Sequence, residues 1–148
     1  MEKRIPRGIR NNNPLNIRYN TGNWWVGQTG HDGQFCTFSA PKYGFRAAVR
    51  ILLKYAGKDR VTTISDIINK WAPESDGNDT CAYIATVCNA MHMQPDDTIN
   101  VMDWQTVTRL LISMAEVECT ATALKEAHIS IYDCIKGYYY AVGNYEKG

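Results

Sequence analysis

The sequence lacks several features that would narrow its function at once. No apolar run approaches the roughly 18 residues that a membrane span needs, and the basic start is not followed by the apolar stretch of a secretory signal. Internal repeats, low-complexity tracts and linkers long enough to divide domains are absent. A phosphate-binding glycine loop is also missing. We therefore expect one globular domain over residues 1–148, with a basic arm at about 1–10 and no membrane insertion.

The cysteine content argues against a disulfide framework. There are five cysteines, an odd number, and no CxxC pair occurs. A disulfide scaffold or a structural zinc site is not indicated by that pattern. Most of the cysteines fall in segments with helical periodicity, where a buried thiol is common. We expect reduced thiols and synthesis in a reducing cytoplasm.

Charge is divided unevenly along the chain. Residues 1–60 hold eleven Lys and Arg against three acids, and residues 61–148 hold five against twelve. A basic half could bind nucleic acid or an anionic wall polymer. Because the basic residues are scattered, the pattern favours two halves that neutralise each other within one fold. A nucleic-acid-binding module that uses Arg4, Arg7 and Arg10 is an alternative, and it predicts an affinity that falls steeply with salt.

Turn formers and short aromatic runs alternate near the start of the chain. Between the turns at 11–14, 21–23 and 30–33, the runs 17–19, 24–26 and 35–38 are rich in aromatic and β-branched residues. We predict a small antiparallel sheet, or a hairpin with a wide loop, with irregular or β structure throughout 5–38.

From Ser39 onward the apolar spacing becomes helical. The pattern predicts a first helix ending at Gly57, a second capped by Thr62 and ending at Pro73, and a third capped by Asp79 or Thr80. We expect the third to present one apolar face of Cys81, Ile84, Ala85 and Cys88. A fourth helix should run from Asn100 or Asp103 to Glu118, and a fifth from about 122 to 142. The predicted fold class is α+β, mostly α.

The fourth helix carries an acid within its apolar stripe. The stripe consists of Trp104, Val107, Leu111, Met114 and Ala115. Glu118 falls in the middle of that stripe, and Glu116 lies on the opposite side. Burial and the negative end of the helix dipole both favour the protonated form of Glu118. A raised carboxyl pKa suits a general acid near neutrality. The alternative is that Glu118 pairs with a cation or emerges into solvent.

The segment 7–18 reads RGIRNNNPLNIR and resembles a motif of a known family. Many small phage and prophage lytic proteins of the lysozyme superfamily carry RGIRNNNPGNIR near their start. Further matches follow over about 7–118: Trp25 and Gly27, Phe35 and Phe38, Gly44 with Arg46 and Ala47, Ile67 and Ile68, the Trp71-Ala72-Pro73 motif, and Tyr83. This similarity covers most of the chain. Leu15 departs from it, since relatives have Gly there, and so do Cys119 and Thr120, where many have a small residue.

The resemblance implies a lysozyme-like helical domain with a small N-terminal β-hairpin. In the similar flagellar-type glucosaminidases, the helix that bears the catalytic Glu precedes the Asn-rich segment. Here the only acid upstream is Glu2, whereas Glu118 ends a late helix. One hypothesis is a circularly permuted arrangement, in which the late helix supplies the acid; nearby chain ends in compact domains permit this.

By resemblance, the function is cleavage of the glycan strand of bacterial peptidoglycan, by a muramidase or a lytic transglycosylase. Glu118 is then the catalytic acid, and Asp32 is a weak candidate for a second carboxylate. Substrate binding is expected of the following four residues: Asn13, Asn16, Trp25 and Tyr83. The two asparagines could equally cap turns, and the aromatics could be core.

No metal or organic cofactor is implied. The expected partners are peptidoglycan and, alternatively, phage virion or lysis proteins. Made in the bacterial cytoplasm without a signal peptide, the protein is expected to act on the wall after release or as a virion component. The alternative function is a non-catalytic virion or wall-glycan-binding protein on the same fold.

Overall fold

A computed structural model describes residues 4–143 of the chain. Within that range the elements follow in this order: α1 Arg7–Arg10, β1 Gln28–His31, β2 Cys36–Phe38, α2 Pro41–Gly57, α3 Ile64–Trp71, α4 Thr80–Met91, α5 Trp104–Cys119, α6 Ala121–Glu126 and α7 Ile131–Val142. A short 3-10 turn, Glu74–Asp76, lies between α3 and α4. The architecture is α+β and mostly α, as the sequence predicted.

The N-terminal region contains a hairpin, but its strands differ from those predicted. Strands β1 and β2 pair antiparallel, and Arg18 with Phe35 adds an isolated bridge. The predicted strand at 24–26 is wrong. Trp25 lies in a turn instead, because its carbonyl accepts from the Gln28 amide and Gly27 takes a left-handed φ of 78°. The helical turn α1 was not predicted either, since all of 5–38 was expected to be irregular or β.

Helix α2 forms the centre of the core and packs closely along α7. Its fully buried side chains include Phe45, Val49 and Leu52. Close approach depends on Gly137 of α7, where an added Cβ would lie 2.7 Å from the Arg46 main-chain nitrogen. The buried apolar side chains of the described residues form one cluster with members on every helix except α1, whose partly buried Ile9 packs against it. No helix in that part of the chain is long and apolar enough to cross a membrane.

The predicted fifth helix is wrong, because the chain breaks into α6 and α7. His128 adopts a left-handed φ of 60° between them. Ser130 and Asp133 then form a capping box that begins α7 anew. The apolar pattern continues through the break, so periodicity alone could not locate it.

The predicted apolar face of the third helix is half wrong. Cys88 is buried and Ile84 partly buried, but Cys81 and Ala85 are exposed on α4. The other buried apolar side chains are Tyr83, Val87 and Met91. Apolar residues surround most of this helix, so their spacing could not choose the buried side. Asp79 caps α4, one of the two predicted alternatives, and Asp103 likewise caps α5. All five cysteines are free thiols, and Cys81 alone is exposed.

Candidate active site

Helix α5 delivers Glu118 to the edge of the core. Four members of its stripe, Val107, Leu111, Met114 and Ala115, are almost wholly inaccessible. Trp104, the first member, is 37% exposed. One turn beyond Met114, the stripe reaches Glu118, which is partly buried at the last turn of the helix. The buried stripe therefore fixes the direction in which this carboxyl points.

The Asn-rich motif builds a tight loop beside Glu118. Asn13 is fully buried, and its side-chain amide bonds only to main chain: it accepts from the Ile17 amide and donates to the carbonyls of Ile17 and Cys36. Asn16 follows with a left-handed φ of 52°, a conformation that Asn tolerates better than most residues. Asn13 thus shapes the loop, and the loop presents Asn16.

Asn16 and Tyr83 both donate hydrogen bonds to the Glu118 carboxyl. Asn16 Nδ2 lies 2.9 Å from Oε1, and the Tyr83 hydroxyl lies 2.9 Å from Oε2. Burial raises the pKa of Glu118, and the two hydrogen bonds counteract only part of that rise. Glu118 is therefore an acid that keeps its proton to higher pH than an exposed glutamate.

The Tyr83 hydroxyl has a second acceptor within reach. The Met114 carbonyl oxygen lies 3.4 Å from it, on the helix that carries Glu118. When Glu118 is ionised, the hydroxyl can donate to the carboxylate. When Glu118 is protonated, the hydroxyl can turn to Met114 and accept the acid's proton as a hydrogen bond. Burial raises the pKa of Tyr83 well above its usual value, so Tyr83 stays a neutral phenol in both states.

Close packing holds the end of α5 against the N-terminal segment, the residues that precede α2. The Cys119 thiol points at the Pro14 carbonyl, 3.5 Å away. A Cβ on Gly8 would lie 2.6 Å from Cys119 Sγ and 2.9 Å from the Asn13 carbonyl oxygen. Burial raises the pKa of Cys119 to about 12, so this neighbour of Glu118 is an inert thiol rather than a nucleophile.

Glu118 faces a cleft of about 890 Å³. The N-terminal segment forms one wall of the cleft, and α2 and the end of α3 form the other. Trp71 ties the two together, because its indole nitrogen donates to the Leu15 carbonyl at 3.1 Å. The cleft also contains side chains suited to carbohydrate contact, namely Asn16, Asn20, Asn23, Trp25, Phe35, Tyr55 and Asn78.

Asp32, the weak candidate for a second carboxylate, does not line this cleft. It closes the β-hairpin instead, accepting from the Arg7 guanidinium, the Asn11 amide and the main-chain amides of Gln34 and Phe35. The hydrogen bond from Arg7 above all holds the pKa of Asp32 far below its usual range. Its role is to fix the hairpin.

The structure brings together most of the expected site residues. Glu118, Asn16 and Trp25 line the same cleft, and Tyr83 contacts Glu118 from the buried side. Asn13 is shielded from it. The sequence did not single out Arg50 and Lys54, which line the cleft from α2. The sequence does contain a pattern that could have indicated them. Cations recur every four residues along α2, at Lys42, Arg46, Arg50 and Lys54, and the helix contains no acid.

Comparison with known proteins relates the chain to a phage protein. No protein-family model matches it. It is 39% identical over 112 residues to protein P5 of Pseudoalteromonas phage PM2, a match that spans 73% of this chain and 69% of the phage protein. The chain belongs to the family of protein P5. Of the resemblance seen in the sequence, kinship with phage proteins is thereby shown. Among residues 4–143, no three His, Cys, Asp or Glu side chains cluster in a way that could hold a metal ion.

Proposed function

We propose that this protein cleaves the glycan strand of bacterial peptidoglycan, as a muramidase or a lytic transglycosylase, with Glu118 as general acid. One observation carries the proposal. A partly buried carboxyl with a raised pKa lies in a cleft, with a polar donor on each of its two oxygens. Kinship with a phage protein supports it, because phages must breach a bacterial wall.

The proposed chemistry begins with protonated Glu118. Its proton passes to the oxygen of the glycosidic bond, the bond to the sugar carbon breaks, and positive charge develops on that carbon. Glu118 is then a carboxylate, which the Asn16 amide and the Tyr83 hydroxyl stabilise by hydrogen bonds. The carboxylate next takes a proton from a water molecule, or from the substrate's own 6-hydroxyl, as that oxygen attacks the carbon. Glu118 ends the cycle protonated.

Two further carboxylates among the described residues line the cleft. Asp59 and Asp76 line the cleft, but their oxygens pair with Lys70 at 3.8 Å and Arg18 at 3.7 Å. No other carboxylate contributes to the pKa of Glu118. We therefore favour a single-acid mechanism, in which water or the substrate itself meets the positive carbon.

Substrate contacts are assigned by position. Asn16 and Trp25 line the cleft, so we propose that they contact the sugars, through a polar amide and a flat indole face. We assign Tyr83 the positioning of Glu118, and Asn13 the shaping of the loop. The protein would meet its substrate as a virion component or a lysis factor of a phage.

The test uses purified peptidoglycan from several bacterial hosts. After incubation with the wild-type protein, released muropeptides are identified by mass spectrometry. A reducing end indicates hydrolysis, and an anhydro ring, lighter by one water, indicates transglycosylation. If no wall releases products, the enzymatic proposal fails. Retention of the protein on insoluble glycan would then favour the alternative, a wall-binding protein that does not cut.

A further inference from the structure

The charges that line the cleft do not cancel. The charged side chains are Arg18, Arg50, Lys54, Lys70, Asp59, Asp76 and Glu118. Two cation–carboxylate pairs form among them, Lys70 with Asp59 and Arg18 with Asp76. Burial disfavours the charge of Glu118. The cleft is therefore left with two cations, Arg50 and Lys54, that no carboxylate in it neutralises.

Both cations lie on one wall, four residues apart on α2. At that spacing their side chains are neighbours on the helix surface, and like charges repel there. Helix α2 contains no Asp or Glu that could relieve the repulsion. Ile51 and Tyr55 line the cleft beside them. The wall is thus an apolar strip with two positive groups, arranged at a cost to helix stability.

Arg50 is held in place by a main-chain acceptor. Its Nη1 donates to the Ala141 carbonyl at 3.2 Å, near the C-terminus of α7, where the helix dipole favours a cation. A guanidinium has five N–H donors, so this contact leaves others for a second acceptor. The Lys54 side chain has neither a hydrogen bond nor an ion pair with any other side chain among residues 4–143.

We propose that Arg50 and Lys54 bind a carboxylate of the peptide stem attached to the glycan strand. This deepens the proposed function and rests on it for the substrate class. The sugars of a glycan strand are neutral once the lactyl carboxyl is joined to a peptide, and the free carboxylates lie on the stems. A strand seated along the cleft towards Glu118 therefore meets the two cations with its stems. The protein prefers strands that carry stem peptides to bare glycan.

Binding of the Glu118→Gln protein to insoluble strands tests this without turnover. Peptide-bearing strands are compared with the same strands after their stem carboxylates have been converted to methylamides by carbodiimide coupling, both freed of teichoic acid. We expect about tenfold tighter binding to the strands with free stem carboxylates, the scale of one charge-assisted hydrogen bond. Adding Arg50→Gln and Lys54→Gln should abolish that preference. The control adds Lys58→Gln and Lys125→Gln, which remove two exposed cations outside the cleft, and should keep it.

The outcomes separate the inference from the function on which it rests. Equal binding to both kinds of strand, or a preference that survives in the Arg50 and Lys54 variant, overturns the inference even if the wild type cuts walls. Binding that is lost when teichoic acid is removed from strands with free stem carboxylates also overturns it, because phosphate is then the ligand. A stem preference lost only in the cleft variant supports the inference. If the wild type then releases no muropeptides, the catalytic proposal alone fails.

Discussion

Asn16 and Glu118 are 102 positions apart in the sequence, yet the Asn16 amide donates a 2.9 Å hydrogen bond to the Glu118 carboxyl. The contact joins the Asn-rich N-terminal loop to the last turn of α5. All other residues that line the cleft lie earlier in the sequence than Glu118. The contact with Asn16 brings this late residue into the cleft. The hypothesis of a circularly permuted order stays a prediction.

Replacing Glu118 should stabilise the protein at neutral pH. The folded-state pKa of Glu118 is raised, so ionisation favours the unfolded chain, and wild-type stability falls as pH rises above the usual Glu range. Glu118→Gln removes that penalty. We expect its Tm at pH 7 to exceed the wild-type value by about 2–4 °C, the shift that about 1 kcal/mol gives a domain of this size.

The pH dependence provides the control for that prediction. Below about pH 4, where glutamate is protonated in both folded and unfolded chains, the two Tm values should converge. Glu116→Gln, an exposed change two residues away, should match the wild type at both pH values. A Glu118→Gln protein that is less stable than wild type at pH 7 would contradict the account of the burial penalty.

Removing the Tyr83 hydroxyl should move the pH profile of activity. The hydroxyl favours the ionised carboxylate, since a hydrogen bond to a charged acceptor is the stronger one, and so lowers the pKa of Glu118. In Tyr83→Phe this pKa rises, the acid keeps its proton longer, and the alkaline limb of kcat/KM shifts to higher pH. The profile of Tyr139→Phe, an exposed tyrosine on α7, should not move. A shift of the Tyr83→Phe limb towards lower pH would refute this role.

Any side chain at Gly8 should lower the stability of the folded protein. A Cβ there meets the Cys119 sulfur at 2.6 Å and the Asn13 carbonyl at 2.9 Å, so Gly8→Ala should destabilise the protein by about 1–3 kcal/mol. Adding Cys119→Ala should recover part of this loss. Gly57→Ala, whose Cβ meets no atom within 4 Å, should be neutral or stabilising by up to about 1 kcal/mol. Urea unfolding of the four proteins measures these differences, and a harmless Gly8→Ala would show that the two segments are not tightly packed.

Asp32 should matter for stability and not for catalysis. The pKa of Asp32 is strongly lowered in the folded state. Its contribution to stability is therefore present at pH values above the usual pKa of Asp, and it is lost only as pH falls below that pKa. Asp32→Asn should therefore lower Tm at pH 7, with the difference narrowing only below about pH 3.9. Its kcat on peptidoglycan should stay within a few-fold of wild type. A loss as large as that of Glu118→Gln would make Asp32 a second catalytic group.

The acid and its helix were predictable because their signal is local. The stripe of α5 could be read from spacing alone, and Glu118 fell within it; the spacing left Asn100 and Asp103 as alternative starts, and the structure has Asp103 as the cap. The roles of Asn13 and Asn16 could not be separated in this way. The two amides belong to one motif, and only their contacts in the fold show that Asn13 bonds to main chain whereas Asn16 reaches Glu118.

Other features depend on contacts between distant segments. The break between α6 and α7 follows from the left-handed His128 and the Ser130 cap, neither of which disturbs the apolar pattern. Asp32 looked like a free loop acid because its partner Arg7 lies 25 positions away. The positive charge of the α2 wall could not be predicted from the sequence, because it depends on Asp59 and Asp76 pairing with Lys70 and Arg18.

We propose Glu118 as the catalytic acid. The most direct measurement is the rate of muropeptide release from purified peptidoglycan by wild type, Glu118→Gln and Glu116→Gln, with folding of each verified by its thermal transition. The account predicts that Glu116→Gln keeps the wild-type rate and that Glu118→Gln loses about 100-fold or more, the scale of general acid catalysis. A folded Glu118→Gln protein that cuts at the wild-type rate would contradict it.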